Sequence, residues 1–221
     1  MQKPVETMLP EMTIAGTLLI CMICFFAVNL HNVMRKHKTE ENAQPHAEVE
    51  QPSSVIVVAG FGTLAYFIEV ILYIILAFAN LVSSSTLSSF LHYDFPFTIY
   101  TQATGTILTL AGYALFIWSV ITRGRYATSW AMQKTHKLVT WGPYGFVRHP
   151  SYLAYFLLFT GLLVVWPNLL TLVPLVAIPG YIKATDKEEK LLEAHFGNEY
   201  KKYQRKTGRF FPRLSRKSDL A

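Results

Sequence analysis

The chain has 221 residues, of which 52% are hydrophobic and only 15% are charged. Soluble domains carry roughly 25% charged residues, and the mean hydropathy here is +0.28, so the composition excludes an ordinary soluble domain. The charges also lie in blocks, because no Lys or Arg occurs between Lys38 and Arg123. The net charge of +6 is explained by basic residues that flank membrane spans, and nucleic-acid binding is not predicted.

Three apolar segments predict transmembrane helices: Met12–Leu30, Val55–Val82 and Ile99–Thr122. Each has about 20 residues or more, the length that an α-helix needs to cross about 30 Å of hydrocarbon. Glu69 is the one charged residue in the second segment. Intramembrane carboxylates are costly, so Glu69 is either functional or hydrogen-bonded in helix packing.

The fourth apolar region, Ser151–Ile182, predicts a helical hairpin. Pro167-Asn168 divides it into two arms of about 15 residues, each of which is short for a full crossing. Pro174 and Pro179 interrupt the second arm. We therefore expect a strongly tilted or re-entrant hairpin that returns to the side on which it starts.

Basic residues determine the expected orientation. All but Lys3 of the 20 Lys and Arg residues lie in residues 31–54, 123–150 and 183–221. Because cytoplasmic segments beside spans are enriched in Lys and Arg, these three segments are predicted to be cytosolic and the N-terminus external. The predicted location is the cytoplasmic membrane for a prokaryotic protein or the endoplasmic reticulum for a eukaryotic one.

The predicted fold is an all-α integral membrane protein without a Rossmann domain. Three transmembrane helices and the hairpin give about five membrane helices. Residues 1–122 form an N-terminal part with a polar loop at 31–54. Residues 123–221 form a C-terminal part with a long polar connection, the hairpin at 151–182 and a cytosolic C-terminal helix.

The C-terminal helix is predicted over Asp186–Lys206, where apolar and charged residues alternate. Gly197 is expected to weaken or break it. Thr207–Pro212 is expected to end the ordered part of the chain.

Two blocks of polar and aromatic residues flank the hairpin and are the candidates for chemistry. One runs from His136 to Tyr152, and the other from Glu188 to Tyr203. Because a hairpin returns to its starting side, the blocks are expected to meet at the membrane–cytosol boundary. Each motif alone also has a structural explanation: Arg148 as a snorkelling residue, and Glu188 as a first-turn acid favoured by the helix dipole.

The ordered combination resembles the isoprenylcysteine carboxyl methyltransferase family and related membrane methyltransferases, including phospholipid N-methyltransferases. The resemblance covers roughly Tyr126–Pro212. Its specific parts are His136-x-Leu138-Val139, Gly142-x-Tyr144, Arg148-His149-Pro150-Ser151-Tyr152, Glu188-Glu189 and Phe196-Gly197-x-Glu199-Tyr200. The resemblance implies binding of S-adenosylmethionine, with S-adenosylhomocysteine as product, and no Rossmann fold; the sequence accordingly has no GxGxxG motif.

The resemblance also implies the site residues. The residues expected to hold the cofactor are His136, Lys137, Leu138, Val139, Tyr144, His149, Pro150, Ser151, Tyr152 and Glu188. Glu188 would pair with the ammonium or ribose hydroxyls of the cofactor and favour its sulfonium charge. Glu188 and His149 are the candidate catalytic residues, and Lys183 and Arg148 the candidate substrate contacts. No metal site is predicted.

Two classes of methyl acceptor fit the sequence. A carboxylate needs no general base because it is ionised near neutral pH, whereas a cationic amine must first lose a proton to a base such as Glu188, Glu189 or His149. The arginine that the family places against the substrate carboxylate aligns with Ala184, and Lys183 lacks the bidentate geometry of a guanidinium. Carboxyl O-methylation of a prenylcysteine-like substrate is the preferred interpretation, and N-methylation of a phospholipid ethanolamine is the alternative.

Two further hypotheses lie outside this chemistry. Membrane sterol-type reductases that use NADPH share a similar hairpin and Arg-His-Pro ending, but the His136–Tyr144 element argues against them. The third hypothesis is a membrane scaffold in which the motif residues serve only as anchors. The expected partners are the lipid bilayer and a lipophilic or prenylated-cysteine substrate, with no nucleic acid and no metal.

Overall fold

Helices account for most of the chain that the computed structural model describes, which is residues 9–40, 47–48, 53–82, 99–124, 131–132 and 137–213. The α-helices are α1 (Glu11–Glu40), α2 (Ser53–Phe78), α3 (Ile99–Arg123), α4 (Pro150–Val165), α5 (Ala177–Phe196) and α6 (Asn198–Lys206). Two 3₁₀ helices cover Gly142–Gly145 and Leu170–Val176. The all-α prediction is therefore confirmed for these residues, apart from one short strand pair.

The three predicted spans are confirmed as helices that are long and apolar enough to cross a membrane: Glu11–Arg35, Ser54–Phe78 and Ile99–Arg123. Many of their large apolar side chains point outward, such as Ile20 and Ile107, which are 64% and 65% exposed. Outward apolar surface on this scale is stable against lipid and not against water. The chain is thus an integral membrane protein, while five membrane helices and an external N-terminus stay predictions.

The polar loop predicted at 31–54 is shorter in the structure, because α1 continues to Glu40 and α2 begins at Ser53. The prediction places the end of the helix at the end of the apolar run, whereas the helix extends ten residues beyond Leu30. Residues 31–40 are polar but contain no Gly or Pro, and Lys, Arg, Met and Glu are good helix formers. Nothing in this stretch therefore stops the helix where the hydrocarbon ends.

The boundary predicted between the hairpin and the C-terminal helix is also wrong. The second arm of the hairpin consists of the 3₁₀ helix Leu170–Val176, with Pro174 inside it, followed by α5, which runs without a break from Ala177 to Phe196. No Gly or Pro lies between Gly180 and Gly197 to interrupt it. The break expected at Gly197 is confirmed, since Gly197 has φ +51° between α5 and α6.

Contacts between helices give their relative directions. The Leu9 N–H, just before α1, donates to the Gln102 Oε1 near the start of α3 at 2.8 Å, and Phe25 packs on Phe116 farther along both helices. Helices α1 and α3 therefore run parallel, and α4 runs back beside α3. The end of α1, the end of α3 and the start of α4 consequently lie at the same end of the helix bundle.

A short strand pair joins two of the connecting segments at the end of the bundle where α1 and α3 end. Strand β1 (Ala47–Glu48) pairs antiparallel with β2 (Ala131–Met132). The pair joins the α1–α2 connection to the α3–α4 connection, which are two of the three basic segments. The grouping of basic segments is thus seen in the fold, although their cytosolic location and the division at residues 122 and 123 stay predictions.

Three glycines let α3 and α4 pack closely. A Cβ at Gly105 would lie 2.6 Å from the Val165 N, and a Cβ at Gly112 would lie 2.9 Å from the Leu158 side chain. A Cβ at Gly161 would lie 2.7 Å from a backbone nitrogen of α3. Small residues at helix contacts are the usual means of close packing between membrane helices. This contact places the start of α4, and with it the His149 region, against the end of α3.

We expect Gly161→Ala to lower the free energy of unfolding by about 1–3 kcal/mol, because the added methyl group must force α3 and α4 apart. The thermal unfolding midpoint in detergent would measure it. Gly16→Ala in α1 is the matched control, since nothing lies within 4 Å of the position of its Cβ. Equal midpoints for the two variants would contradict the glycine-dependent contact.

Candidate functional site

The loop before α4 is fixed by the C-terminal segment. Pro150 occupies the first turn of α4, where the missing N–H costs nothing. The backbone N–H groups of Arg148 and His149 donate to the carbonyl oxygens of Gly208 and Arg209 at 2.8 and 3.1 Å. The two segments thus pair like parallel strands. The conformation of the loop before α4 therefore depends on residues about sixty positions later in the chain.

Glu189 is the centre of the charged cluster. It is buried on α5, and its Oε1 accepts hydrogen bonds from the Arg148 Nε at 2.8 Å and the His149 Nε2 at 3.0 Å. Its Oε2 accepts one from the Arg209 Nη2 at 3.2 Å. Burial alone would raise the pKa of Glu189, but the bonds from His149, Arg148 and Arg209 outweigh it and hold the pKa well below its usual value.

Glu188 has a different environment from its neighbour. Its Oε1 accepts a hydrogen bond from the Tyr152 hydroxyl, and its Oε2 lies 3.6 Å from the His149 Nδ1. Because ionised Glu189 only accepts hydrogen bonds, His149 must carry a proton on Nε2, and Nδ1 is the nitrogen that faces Glu188. The His149 and Tyr152 rings stack at 5.8 Å. Glu188 and the Nδ1 edge of His149 therefore face each other beside the Tyr152 ring.

Tyr144 lies in the 3₁₀ helix Gly142–Gly145, whose shape requires a glycine. Gly142 has φ +62°, and a Cβ there would meet the Thr122 Oγ1 at 2.8 Å. The Tyr203 hydroxyl donates to the Tyr144 carbonyl oxygen at 2.6 Å. Burial raises the pKa of Tyr203 well above its usual value, which keeps this hydroxyl protonated as a donor. Helix α6 thus anchors the segment that carries Tyr144.

Two buried hydroxyls bear on whether a cofactor fits. The Tyr144 hydroxyl and the Ser151 Oγ are buried and have no hydrogen-bond partner among the residues that the structure describes. Unpaired buried hydroxyls cost about 1–3 kcal/mol each, and a polar ligand would remove that cost. Both residues belong to the predicted cofactor set. The donor set therefore fits a ligand with hydroxyl, amino and carboxylate groups.

The other predicted residues occupy varied positions. His136 lies outside the described residues. Lys137 is exposed, whereas Leu138 is half-buried and Val139 is buried on the segment that leads into the 3₁₀ helix. Lys183 is exposed on α5. The structure thus brings together Arg148, His149, Tyr152 and Glu188 from the predicted set, while the roles given to all of these residues stay predictions.

Several residues of the cluster were missed by the sequence interpretation. The sequence suggests Arg148 as a substrate contact or a snorkelling residue, and in the structure its guanidinium binds Glu189 and donates to the carbonyl oxygens of Gln204 and Thr207. In sequence, Arg209 resembles the other basic residues that flank the spans. Thr207–Pro212 was expected only to end the ordered part, yet it closes one side of the cluster. The adjacent aromatic pair Phe210-Phe211 in an otherwise polar tail was the available signal.

Two comparisons found known proteins that are similar to this chain. The family model described as the isoprenylcysteine carboxyl methyltransferase (ICMT) family matches residues 105–194. A protein of Schizosaccharomyces pombe named protein-S-isoprenylcysteine O-methyltransferase is 30% identical over 135 residues. That alignment covers 59% of this chain and 56% of the S. pombe protein, so the chain spans about half the length of this relative. Residues 105–194 of this chain are therefore similar to the isoprenylcysteine carboxyl methyltransferase family, and the similarity to the S. pombe protein extends over 135 residues.

Proposed function

We propose that this protein is a membrane methyltransferase that uses S-adenosylmethionine to O-methylate the carboxylate of a prenylcysteine-like acceptor. The observation that carries the proposal is the meeting of Glu188 and His149 beside Tyr152 at the start of the hairpin. With the predicted orientation, a lipophilic acceptor in the bilayer and a polar cofactor from the cytosol would meet at this arrangement. The match of residues 105–194 to the isoprenylcysteine carboxyl methyltransferase family model supports the reaction class.

Residues on both sides of the hairpin would hold the cofactor. The hydroxyls of Tyr144 and Ser151 would gain partners, and Glu188 would pair with a cationic or hydroxyl group of the ligand. When bound, S-adenosylmethionine supplies a methyl group on a sulfonium; the acceptor oxygen forms the new bond as the bond to sulfur breaks and its electron pair stays on sulfur. The chain would contribute alignment and exclusion of water.

An aromatic row leads from the charged cluster into the hairpin. The Tyr152 ring lies 4.9 Å from that of Tyr181, which stacks on Tyr155 at 5.2 Å. The Tyr155 ring stacks on Phe159 at 5.9 Å. A prenyl chain packed along these rings would remain in an apolar environment while its polar end reached Glu188 and His149.

A carboxylate acceptor needs a cation, and among the residues that the structure describes Arg123 is a candidate. Arg148 and Arg209 are already paired with carboxylates, and Lys183 is exposed. The Arg123 Nε, at the end of α3, is buried without a partner among the described residues. Arg123 would therefore take the part of the arginine that Ala184 replaces, ahead of the predicted Lys183 and Arg148.

The Glu188–His149 pair also fits a second acceptor class. The Glu188 Oε2 lies 3.6 Å from the His149 Nδ1. The negative charge of Glu188 would attract a cationic amine, and the Glu188–His149 pair would take the proton that the amine must lose. N-methylation of a phospholipid ethanolamine is therefore the alternative to be tested beside carboxyl methylation.

We expect purified protein in detergent to bind radiolabelled S-adenosylmethionine saturably and not to bind NADPH. Binding of NADPH alone would support a reductase, and binding of neither would support a scaffold. Methyl incorporation would then be compared with acetylfarnesylcysteine and phosphatidylethanolamine as acceptors. Incorporation into acetylfarnesylcysteine is the expected result, and incorporation into phosphatidylethanolamine alone would establish the alternative.

Tyr144→Phe tests the cofactor contact within the same assay. Loss of one hydroxyl that bonds to the cofactor should weaken binding by roughly threefold to tenfold, since a hydrogen bond is worth about 0.5–1.5 kcal/mol. Tyr100→Phe is the control, because Tyr100 is exposed at the opposite end of α3. Unchanged cofactor affinity in Tyr144→Phe would remove Tyr144 from the cofactor site.

A further inference from the structure

The C-terminal segment Thr207–Arg213 lies across the loop that precedes α4. Val147 and Gly208 form a parallel bridge, and the backbone N–H groups of Arg148 and His149 bond to the segment. Gly208 is required there, because a Cβ at this position would collide with the Phe211 carbonyl oxygen. The sharp bend at Gly208 places the Arg209 side chain over α5.

Arg209 bridges two carboxylates of α5. Its Nη1 donates to the Asp186 Oδ1 at 2.7 Å, and its Nη2 donates to the Glu189 Oε2 at 3.2 Å. Arg148 binds the other oxygen of Glu189. Each oxygen of Glu189 therefore has its own guanidinium, and the rotation of this carboxylate is fixed from both sides.

The orientation of His149 depends on that carboxylate. The His149 Nε2 donates to the Glu189 Oε1. The bond from Arg209 to the other oxygen, Oε2, limits the rotation of the carboxylate and so holds Oε1 in place. On its other side the His149 ring lies 6.0 Å from the Phe210 ring, which in turn packs on Phe156 at 5.2 Å. The same short segment thus fixes the ring through a hydrogen-bond chain and through packing.

We propose that Arg209 is a positioning residue for methyl transfer, which through Glu189 directs the His149 Nδ1 edge toward Glu188. This role rests on the proposed function, in which Glu188 and His149 face the reacting groups. Arg209 itself would touch neither cofactor nor acceptor. A partner in a network of this kind acts by fixing geometry, because a small displacement of a reacting group is costly in rate.

The Arg209–Asp186 pair supplies a matched control. Asp186 is 53% exposed and the Arg209 side chain is 34% exposed, so this half of the bridge contributes little stability. Asp186→Asn removes it while leaving the bond from Arg209 to Glu189. If Arg209 acts only by general surface pairing, Asp186→Asn and Arg209→Met should have similar effects. If Arg209 acts through Glu189, only Arg209→Met should change the orientation and hydrogen bonding of the His149 ring.

Nitrogen-15 NMR of histidine-labelled protein in detergent tests this directly, with the His149 signals assigned from a His149→Gln sample. We expect wild type and Asp186→Asn to show the same protonated Nε2, and Arg209→Met to show a shifted or exchange-broadened signal. Arg209→Lys keeps the charge without the two-pronged geometry, so its His149 signal should be intermediate between those of wild type and Arg209→Met. It also replaces Arg209→Met if that variant fails to fold. A His149 spectrum unchanged in both Arg209 variants would overturn the proposal.

Methyl-transfer kinetics then separate this inference from the proposed function. We expect Arg209→Met to lower kcat about tenfold with cofactor affinity nearly unchanged, and Asp186→Asn to match wild type. If wild type transfers no methyl group to either acceptor class while the NMR result holds, the proposed function fails and the positioning of His149 by Arg209 stands. If wild type is active and Arg209→Met retains full kcat, the positioning role fails and the proposed function stands.

Discussion

We expect Glu188→Gln to be the most damaging conservative substitution in the site, with methyl transfer reduced about a hundredfold, because a hydrogen bond to a charged group is worth about 1.5–3 kcal/mol. Glu188 carries the negative charge proposed to pair with the cofactor. Its Oε1 accepts a hydrogen bond from the Tyr152 hydroxyl, and its Oε2 lies 3.6 Å from the His149 Nδ1. The measurements are equilibrium binding of radiolabelled S-adenosylmethionine and initial rates of methyl incorporation.

Glu193→Gln is the matched control for this variant. Glu193 lies on the same helix and carries the same charge, but it is exposed and pairs with exposed Lys201 at 3.1 Å. We expect cofactor binding and rates to stay at the wild-type level in Glu193→Gln. If Glu188→Gln binds the cofactor as tightly as Glu193→Gln does, Glu188 is not part of the cofactor site.

The way in which Glu188→Gln loses activity also reports the acceptor class. For a carboxylate acceptor no proton is transferred, so the loss of methyl-transfer activity should come from weaker cofactor binding. This loss should not depend on pH above the range in which the acceptor carboxylate ionises. For an amine acceptor the variant also lacks a base, so kcat should fall and recover as rising pH deprotonates the amine. The pH profile of kcat in this one variant therefore discriminates between the two acceptors.

The sequence predicted the membrane helices well because the bilayer allows few alternatives. An uncharged run such as Met12–Leu30 must satisfy its backbone hydrogen bonds within itself, and a helix does so. The helix ends were less predictable, since the end of hydrocarbon does not end a helix. Residues 31–40 and Tyr181–Phe196 continue as helix because they lack Gly and Pro, and Gly197 stops the second of them.

The candidate site was predictable only where the topology determined it. A hairpin returns to its starting side, which brings His149 to Glu188, and the structure shows that contact. The separate environments of Glu188 and Glu189 were not predictable, because they depend on which carboxylate a distant guanidinium reaches. Arg209 looks in sequence like any other anchoring residue of the basic tail. Its role follows from the bridge between Val147 and Gly208, for which no local pattern exists.

We expect Arg148→Met to have the largest effect on stability, lowering the free energy of unfolding by about 3 kcal/mol. Breaking a buried ion pair typically costs about 3–5 kcal/mol, and the lower end applies because Arg209 and His149 still contact Glu189. Arg148 and Glu189 side chains are only 12% and 9% exposed. Lys201→Met, which breaks the exposed pair with Glu193, should cost less than about 1 kcal/mol.

Acid unfolding provides the independent check on this pair. The pKa of Glu189 in the folded protein lies below the unfolded value of about 4.3, so the carboxylate contributes stability that is complete above that value and is lost as pH falls through the folded pKa. Removal of Arg148 raises the folded pKa toward the unfolded one, and the acid unfolding midpoint should move to higher pH in Arg148→Met and stay unchanged in Lys201→Met. Equal midpoints in the two variants would show that Glu189 is held ionised by Arg209 and His149 alone, which would make the C-terminal segment the main support of the site.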